Sequence, residues 1–221
     1  MRRAWREGIS VAVATSAYGV SFGALAVTSG LDVWQTVVLS ALMFSGGSQF
    51  AFIGVIAAGG GIAGVASAAM LGLRNALYGM SMRRVVAPRG ALLPVAAHLT
   101  IDESTAVALA QREPRTQRHG FWVTGIGIWI GWNLATLAGA LLGDLLGDPR
   151  QWGLDAAAAA AFLGLLWPRL RGRQPVAVAA GSAVLAAALL PVLPAGMPVI
   201  VAAVVGVAVG LTNAFAPRRE A

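Results

Sequence analysis

Apolar runs, separated by short polar connections, follow one another along nearly the whole chain. Eight such segments lie at approximately 8–28, 34–58, 61–80, 91–110, 120–143, 154–168, 175–193 and 196–215. A helix that crosses a bilayer needs ~20 predominantly apolar residues. The pattern therefore predicts an all-α fold, a polytopic transmembrane helical bundle with about eight membrane segments. The connections are short, so residues 1–221 are predicted to form a single transmembrane domain.

Small residues recur at every fourth position within several of these segments. The longest series is Gly127, Gly131, Ala135, Gly139 and Gly143. In lipid, this spacing lets two helix backbones approach each other closely. The series therefore predicts tight packing of the segment 120–143 against a neighbouring helix.

Composition supports a lipid environment and excludes several classes of function. The chain is 57% hydrophobic and 11% charged, whereas a soluble domain has roughly a quarter charged residues. It has no cysteine and two histidines, which excludes disulfide scaffolds, thiolate metal sites and histidine-rich metal sites. No metal or cofactor is predicted. The net charge is +7, but the arginines lie in short clusters between apolar runs, as in cytoplasmic membrane loops. Nucleic-acid binding is therefore not expected.

The arginine clusters also predict orientation, because cytoplasmic loops are enriched in positive charge. Four clusters of three arginines are present: Arg2, Arg3 and Arg6; Arg83, Arg84 and Arg89; Arg112, Arg115 and Arg118; and Arg169, Arg171 and Arg173. Both termini are predicted to be cytoplasmic. Eight plain crossings would place the second cluster outside. If 34–58 and 91–110 are instead re-entrant hairpins, all four clusters are cytoplasmic. Both topologies remain open at this stage.

A polar interruption within 34–58 is the first candidate site. It consists of Ser45, Gly46, Gly47, Ser48 and Gln49. Two glycines here favour a break in the helix, and the backbone N–H groups of a new helix start can bind an anion such as a carboxylate. Gln49 adds a side-chain donor and acceptor. The alternative is a flexible packing point whose polar groups bond to neighbouring helices.

Arg74, Asn75 and Tyr78 form the second candidate site, near the end of the segment 61–80. A guanidinium within an apolar segment is unfavourable unless it is paired or extends to the interface. Tyr78 follows Arg74 by four residues, so the two share a helical face. Arg74 is predicted either to bind a carboxylate or to extend to the cytoplasmic headgroups.

His98, Asp102 and Glu103 are the third candidate site, in the middle of the segment 91–110. Two adjacent acids in an apolar segment are rare and usually functional. A buried carboxyl group can exchange a proton near neutral pH. His98 and Asp102 are four residues apart and are predicted to share a helical face, so His98 could relay a proton. The alternative is a cytoplasmic amphipathic helix with solvated or paired acids.

Four motifs together resemble those of the AzlC family, the large subunits of branched-chain amino acid exporters. The motifs are Gly19-Val20-Ser21-Phe22-Gly23, Phe44-Ser45-Gly46-Gly47-Ser48-Gln49-Phe50, Leu73-Arg74-Asn75-Ala76-Leu77-Tyr78 and Leu99-Thr100-Ile101-Asp102-Glu103. The resemblance covers nearly the whole chain. Family members commonly have histidine where this chain has Asn75, so a proton-handling role at that position is not expected here.

The resemblance implies a permease of the bacterial cytoplasmic (inner) membrane that works with a small AzlD-type membrane subunit. It implies export of valine, leucine and isoleucine, and sometimes methionine, driven by the proton gradient. Substrate binding is then expected at Ser45–Gln49, Arg74, Asn75 and Tyr78, and proton coupling at Asp102, Glu103 and His98. The alternatives are export of another small amino acid and a non-transporting subunit that stabilises a partner. No catalytic serine–histidine–acid order and no phosphate-binding loop is present, so an enzyme is not expected.

Overall fold

A computed structural model describes residues 1–146, 163–164, 166–167, 170–194 and 196–212, and the regular structure in these ranges is helical. The helices are α1 (Arg2–Thr28), α2 (Val33–Leu42), α3 (Gly46–Ala57), α4 (Gly61–Val86), α5 (Leu92–His98), α6 (Asp102–Leu109), α7 (Pro114–Leu146), α8 (Arg173–Leu189) and α9 (Met197–Thr212). The all-helical prediction is confirmed for this part of the chain. The predicted segment 154–168 lies largely outside the described residues, so the number of eight segments stays a prediction.

The two longest helices, α1 and α7, form a parallel pair. Both are long and apolar enough to cross a membrane. Near the start of the pair, a Cβ atom built on Gly8 would lie 2.9 Å from Thr124 Oγ1. Near its end, one built on Gly143 would lie 2.9 Å from the Cα atom of Ala24. The contacts advance along both helices in the same direction, and they confirm the close packing that the glycine series predicts.

Helices α2 and α3 form a helical hairpin, residues 33–57, which we call hairpin 1. Asp32 caps α2: its Oδ1 atom accepts from the Gln35 N–H at 2.7 Å, and Gln35 Oε1 accepts from the Asp32 N–H at 3.0 Å. Leu31, just before α2, and Gln35, in its first turn, share a recess with Ile56 near the end of α3. Helices that continued in one direction would place these ends roughly 35 Å apart at 1.5 Å per residue. The chain therefore folds back at 43–45.

Helices α5 and α6 form hairpin 2, residues 92–109. A Cβ atom built on Gly125 would lie 3.1 Å from Leu99 Cβ, at the turn between the two helices. One built on Gly120 would lie 3.2 Å from Val107 in α6. Leu93, at the start of α5, shares a recess with Phe121 of α7. Both ends of hairpin 2 therefore lie near the start of α7, and its turn lies farther along that helix.

The two hairpins enter the bundle from opposite ends, and their tips meet. Hairpin 1 begins just after α1 ends. The base of hairpin 2 lies at the start of α1, where Gln111 Nε2 donates to Glu7 Oε2 at 2.7 Å. At the tips, the rings of Phe44 and His98 stack with centroids 5.5 Å apart. Each hairpin thus extends from one end of the bundle to its centre.

The described arginine clusters gather at one end of the bundle, which we call the arginine end. It contains the start of α1, the end of α4 and the start of α7, where Arg118 Nε donates to the Val85 carbonyl at 3.1 Å. Helices α8 and α9 pack antiparallel, with Ser182 Oγ donating to the Ala202 carbonyl at 3.1 Å. Their connection at Gly196 lies beside Val55, at the opposite end. Arg173, which begins α8, is therefore also at the arginine end. This is the arrangement that the hairpin topology requires.

Candidate functional site: a cavity between the hairpin tips

The hairpin tips enclose a cavity near the centre of the bundle. It has about 590 Å³ of space that no atom fills, part of it open to the exterior. The walls come from both tips and from α1, α4 and α7. Thr15, Arg74 and Ile128 line the cavity, and each lies in the middle third of its helix. The cavity is therefore at mid-depth, where discontinuous helices of membrane proteins form binding sites.

An ion pair joins α4 to the tip of hairpin 2 in the cavity wall. Arg74 Nε lies 3.3 Å from Asp102 Oδ1, and the side chains are 29% and 16% exposed. Arg74 projects from the middle of α4, and Asp102 is the first residue of α6. Pairing makes two charges tolerable in an apolar bundle. Arg74 is thus paired inside the bundle and does not extend to the arginine end.

The start of α3 lies against the guanidinium of Arg74. A Cβ atom on Gly47 would lie 2.8 Å from Arg74 Nη2, so only glycine allows this approach without a shift. Ser45 is the N-cap residue, with extended backbone (φ −159°, ψ 103°) and no side-chain capping bond. The first N–H groups of a helix have no acceptor within it. The guanidinium and the start of α3 therefore place positive potential at one side of the cavity.

Gln49 lies in the candidate stretch but is bonded inside the protein. It is fully buried. Its Nε2 donates to the carbonyls of Ser40 at 3.2 Å and Met43 at 2.7 Å, and its Oε1 accepts from Trp132 Nε1 at 2.8 Å. Ser48 is also buried, with its Oγ atom facing Gly72 of α4. The predicted stretch is thus divided: 45–47 line the cavity, and 48–49 face neighbouring helices.

The other predicted site residues lie at different distances from the cavity. Glu103 lines it beside Asp102. Asn75 and Tyr78 are partly buried on α4 and are not among the lining residues. The prediction that His98 and Asp102 share a helical face was wrong, because α5 ends at His98 and a new helix begins at Asp102. His98 instead stacks on Phe44, at the contact between the tips.

Most of the cavity wall is apolar. Phe44 and Phe50 come from hairpin 1, Ile101 from hairpin 2, and Ile128 and Trp132 from α7. Ile128 and Trp132 are four residues apart and share a face of α7. Sequence reasoning did not identify Ile101, Ile128, Trp132 or the α1 residues Thr15 and Tyr18 as site residues. Side chains of these types are common in any membrane helix. What distinguishes these five residues is that they face the same cavity, and this is visible only once the helices are packed together.

The titratable groups around the cavity do not form a metal site. Within the described ranges, no group of three or more histidine, aspartate or glutamate side chains could hold a metal ion. The charged lining of the cavity is Arg74, Asp102 and Glu103. This arrangement fits a small solute with a charged group and an apolar part, because one side of the cavity is charged and the rest is apolar.

Comparisons with known proteins match the chain to membrane proteins. Over 221 aligned residues, the chain is 28% identical to the inner membrane protein YgaZ of Escherichia coli K12, covering 95% of this chain and 89% of that protein. It is 30% identical over 165 residues to an uncharacterised membrane protein of Archaeoglobus fulgidus, covering 74% of this chain and 73% of that protein. No solved structure matches. Residues 10–146, which contain both hairpins and the whole cavity, match the AzlC protein family, and the chain is therefore an AzlC-family membrane protein.

Proposed function

We propose that this chain is the permease subunit of an exporter of branched-chain amino acids, with methionine as a further substrate. Membership of the AzlC family supports a role in membrane transport. One observation supports the substrate class most directly: a mid-depth cavity between two opposed hairpin tips has apolar walls and an Arg74–Asp102 ion pair at one side. An amino acid with an apolar side chain matches both features, because it has charged groups for the ion-pair side of the cavity and an apolar group for the walls.

Arg74 and the start of α3 bind the substrate carboxylate in this proposal. The guanidinium provides a planar fork that suits a carboxylate. The adjacent helix start adds N–H donors and positive potential. Gly47 has no side chain, so the guanidinium of Arg74 and the start of α3 can lie close together. The substrate side chain then lies against Phe44, Phe50 and the other apolar walls.

Proton coupling follows from competition for Arg74. In the structure the guanidinium is paired with Asp102, so a substrate carboxylate has to displace that partner. A proton on Asp102 would neutralise it and release Arg74 to the substrate. Glu103 lines the same wall and is a second proton carrier. His98 lies across the helix break, where its protonation would alter the contact with Phe44.

The hairpins provide a means of alternating access. Hairpin 1 separates the cavity from one end of the bundle, and hairpin 2 separates it from the arginine end. Movement of one tip at a time would open the cavity to one side of the membrane. In our proposal the arginine end and both termini are cytoplasmic, in the bacterial inner membrane, and a small AzlD-type subunit completes the exporter.

Radiolabelled leucine efflux from cells tests the proposal. Cells would express this chain with the small subunit, this chain alone, or the small subunit alone, and methionine would be measured in parallel. We expect export only with both subunits. Full export by this chain alone would refute the two-subunit proposal. No export of either amino acid by both subunits at normal membrane levels would refute the proposed substrates.

Arginine substitutions provide a matched control. Arg74→Ala should abolish export while the membrane level is kept. Arg84→Ala removes an exposed arginine from the same helix and should export normally. Equal activity of the two variants would show that Arg74 does not bind the substrate.

A further inference from the structure

The side-chain amide of Gln49 connects three parts of the bundle. Its two donor hydrogens bond to the carbonyls of Ser40 and Met43, where α2 ends and the chain turns. These carbonyls belong to the last turn of α2 and its cap, which lack helical donors. Its carbonyl oxygen accepts from the indole N–H of Trp132 at 2.8 Å. The amide therefore fixes the tip of hairpin 1 to α7.

The indole ring of Trp132 is held on several sides. Phe22 stacks with it at a centroid distance of 6.2 Å, and Phe50 meets it edge to face at 6.4 Å. A Cβ atom on Gly46 would lie 3.2 Å from its Cη2 atom. The residue is 4% exposed, yet it lines the cavity. Trp132 is thus a large, fixed surface that faces the space between the hairpin tips.

We propose that Trp132 determines which substrate side chains fit the cavity, and that Gln49 is a positioning residue that acts through Trp132 without touching the substrate. The proposal rests on the proposed function, since it names the element of that same cavity that selects among amino acids. Trp132 is the largest side chain in the apolar wall, so its position sets the limit on substrate size. The position in turn depends on the hydrogen bond to Gln49, because the aromatic contacts alone leave the indole N–H buried without an acceptor.

Substrate ranking in counterflow tests this inference. The complex of this chain with its small subunit would be reconstituted in vesicles, and labelled leucine uptake would be competed with unlabelled alanine, valine, leucine and phenylalanine. Trp132→Leu enlarges the cavity, so phenylalanine should become a stronger competitor. Its potency relative to that of unlabelled leucine should rise by about tenfold or more, the scale at which a pocket discriminates side-chain size. Trp129→Leu is the matched control, because Trp129 lies on the same helix, is 38% exposed and does not line the cavity. Its ranking should equal that of the unmodified protein.

Gln49→Leu tests the positioning role. It removes the three hydrogen bonds and keeps an apolar side chain, so the ranking should shift in the same direction as in Trp132→Leu, with a higher KM for leucine. A purely structural role would lower the membrane level and the maximal rate with no change in ranking. In the double variant Gln49→Leu with Trp132→Phe, neither partner is left with a buried polar group. The fold-loss of leucine counterflow in this variant should therefore be smaller than the product of the fold-losses in the two single variants.

The outcomes separate the inference from the proposed function. Unchanged ranking in Trp132→Leu, with leucine counterflow retained, would overturn the inference and leave the proposed function standing. If Trp132→Leu does not reach the membrane, Trp132→Phe provides the same comparison with a smaller change. A shifted ranking in Trp132→Leu but not in Gln49→Leu would overturn the positioning role of Gln49. Absence of leucine counterflow in the unmodified complex would overturn the proposed function itself.

Discussion

Arg74 and Asp102 lie in different helices, and their side chains meet with Nε and Oδ1 3.3 Å apart at the wall of the central cavity. The pair joins the middle of α4 to the first residue of α6. Any movement of the hairpin 2 tip away from α4 has to separate the two charges. The charges on Arg74 and Asp102 are therefore coupled to the position of the hairpin 2 tip.

Replacing Asp102 should separate gradient-driven export from exchange. Asparagine keeps the shape of aspartate but cannot carry a proton between the two sides. Asp102→Asn is therefore expected to abolish export driven by an imposed pH gradient and to retain part of the counterflow measured without a gradient. Both measurements would be made in reconstituted vesicles.

Glu103→Gln is the matched control for this change. It makes the same chemical substitution at the adjacent cavity residue and should reduce gradient-driven export less. If Asp102→Asn exports at the unmodified rate under a gradient, Asp102 is not the coupling site, and the ion pair has a structural role.

The geometry of the Arg74 side chain should matter as well as its charge. Lysine keeps the charge but lacks the planar two-pronged fork. Arg74→Lys is therefore expected to raise the KM for leucine by about tenfold or more, which corresponds to roughly 1.4 kcal/mol of lost binding free energy. Initial efflux rates over a range of internal leucine concentrations measure this. Arg84→Lys, on the same helix but exposed, should leave the KM unchanged, and an equal KM in the two variants would contradict the prediction.

The break at the tip of hairpin 1 was predictable from sequence, whereas the position of the break in hairpin 2 and most contacts across the cavity were not. Glycines and polar residues at Ser45–Gln49 mark the tip of hairpin 1, because they interrupt an otherwise apolar run. The pairing of Arg74 with Asp102 depends on how α4 packs against hairpin 2, and no local pattern encodes that. Likewise, the polarity of Gln49 was evident, but its bond to Trp132 joins distant parts of the chain. His98 was assigned to the wrong face because the helix was assumed to continue past it.

The hairpin topology predicts which positions can be labelled from each side of the membrane. The chain has no cysteine, so each introduced cysteine reports alone. Arg84→Cys and Arg115→Cys lie at the arginine end and should react only with reagent on the cytoplasmic side. Ala58→Cys follows hairpin 1 at the opposite end and should react only from outside. Labelling of position 84 from outside would establish plain crossings in place of the hairpins.

The contact between α1 and α7 should not tolerate a methyl group at Gly139. A Cβ atom there would overlap the carbonyl oxygen of Val20, which belongs to the backbone and cannot move alone. Overpacking of this kind typically destabilises a protein by about 1–3 kcal/mol. Gly139→Ala is therefore expected to lower the melting temperature of the purified protein in detergent.

Gly54→Ala is the matched control for this prediction, because nothing lies within 4 Å of a Cβ atom at that helical position. Alanine is the better helix former by roughly 1 kcal/mol, so Gly54→Ala should leave the melting temperature unchanged or raise it.

The Gly139→Ala substitution should also affect the cavity. Helix α1 contributes Tyr18 to the wall and α7 contributes Trp132, so forcing the helices apart should widen the cavity. Gly139→Ala should accordingly raise the KM for leucine where Gly54→Ala does not. A Gly139→Ala protein with the stability and KM of the unmodified chain would show that the close approach of α1 and α7 is not maintained in the membrane.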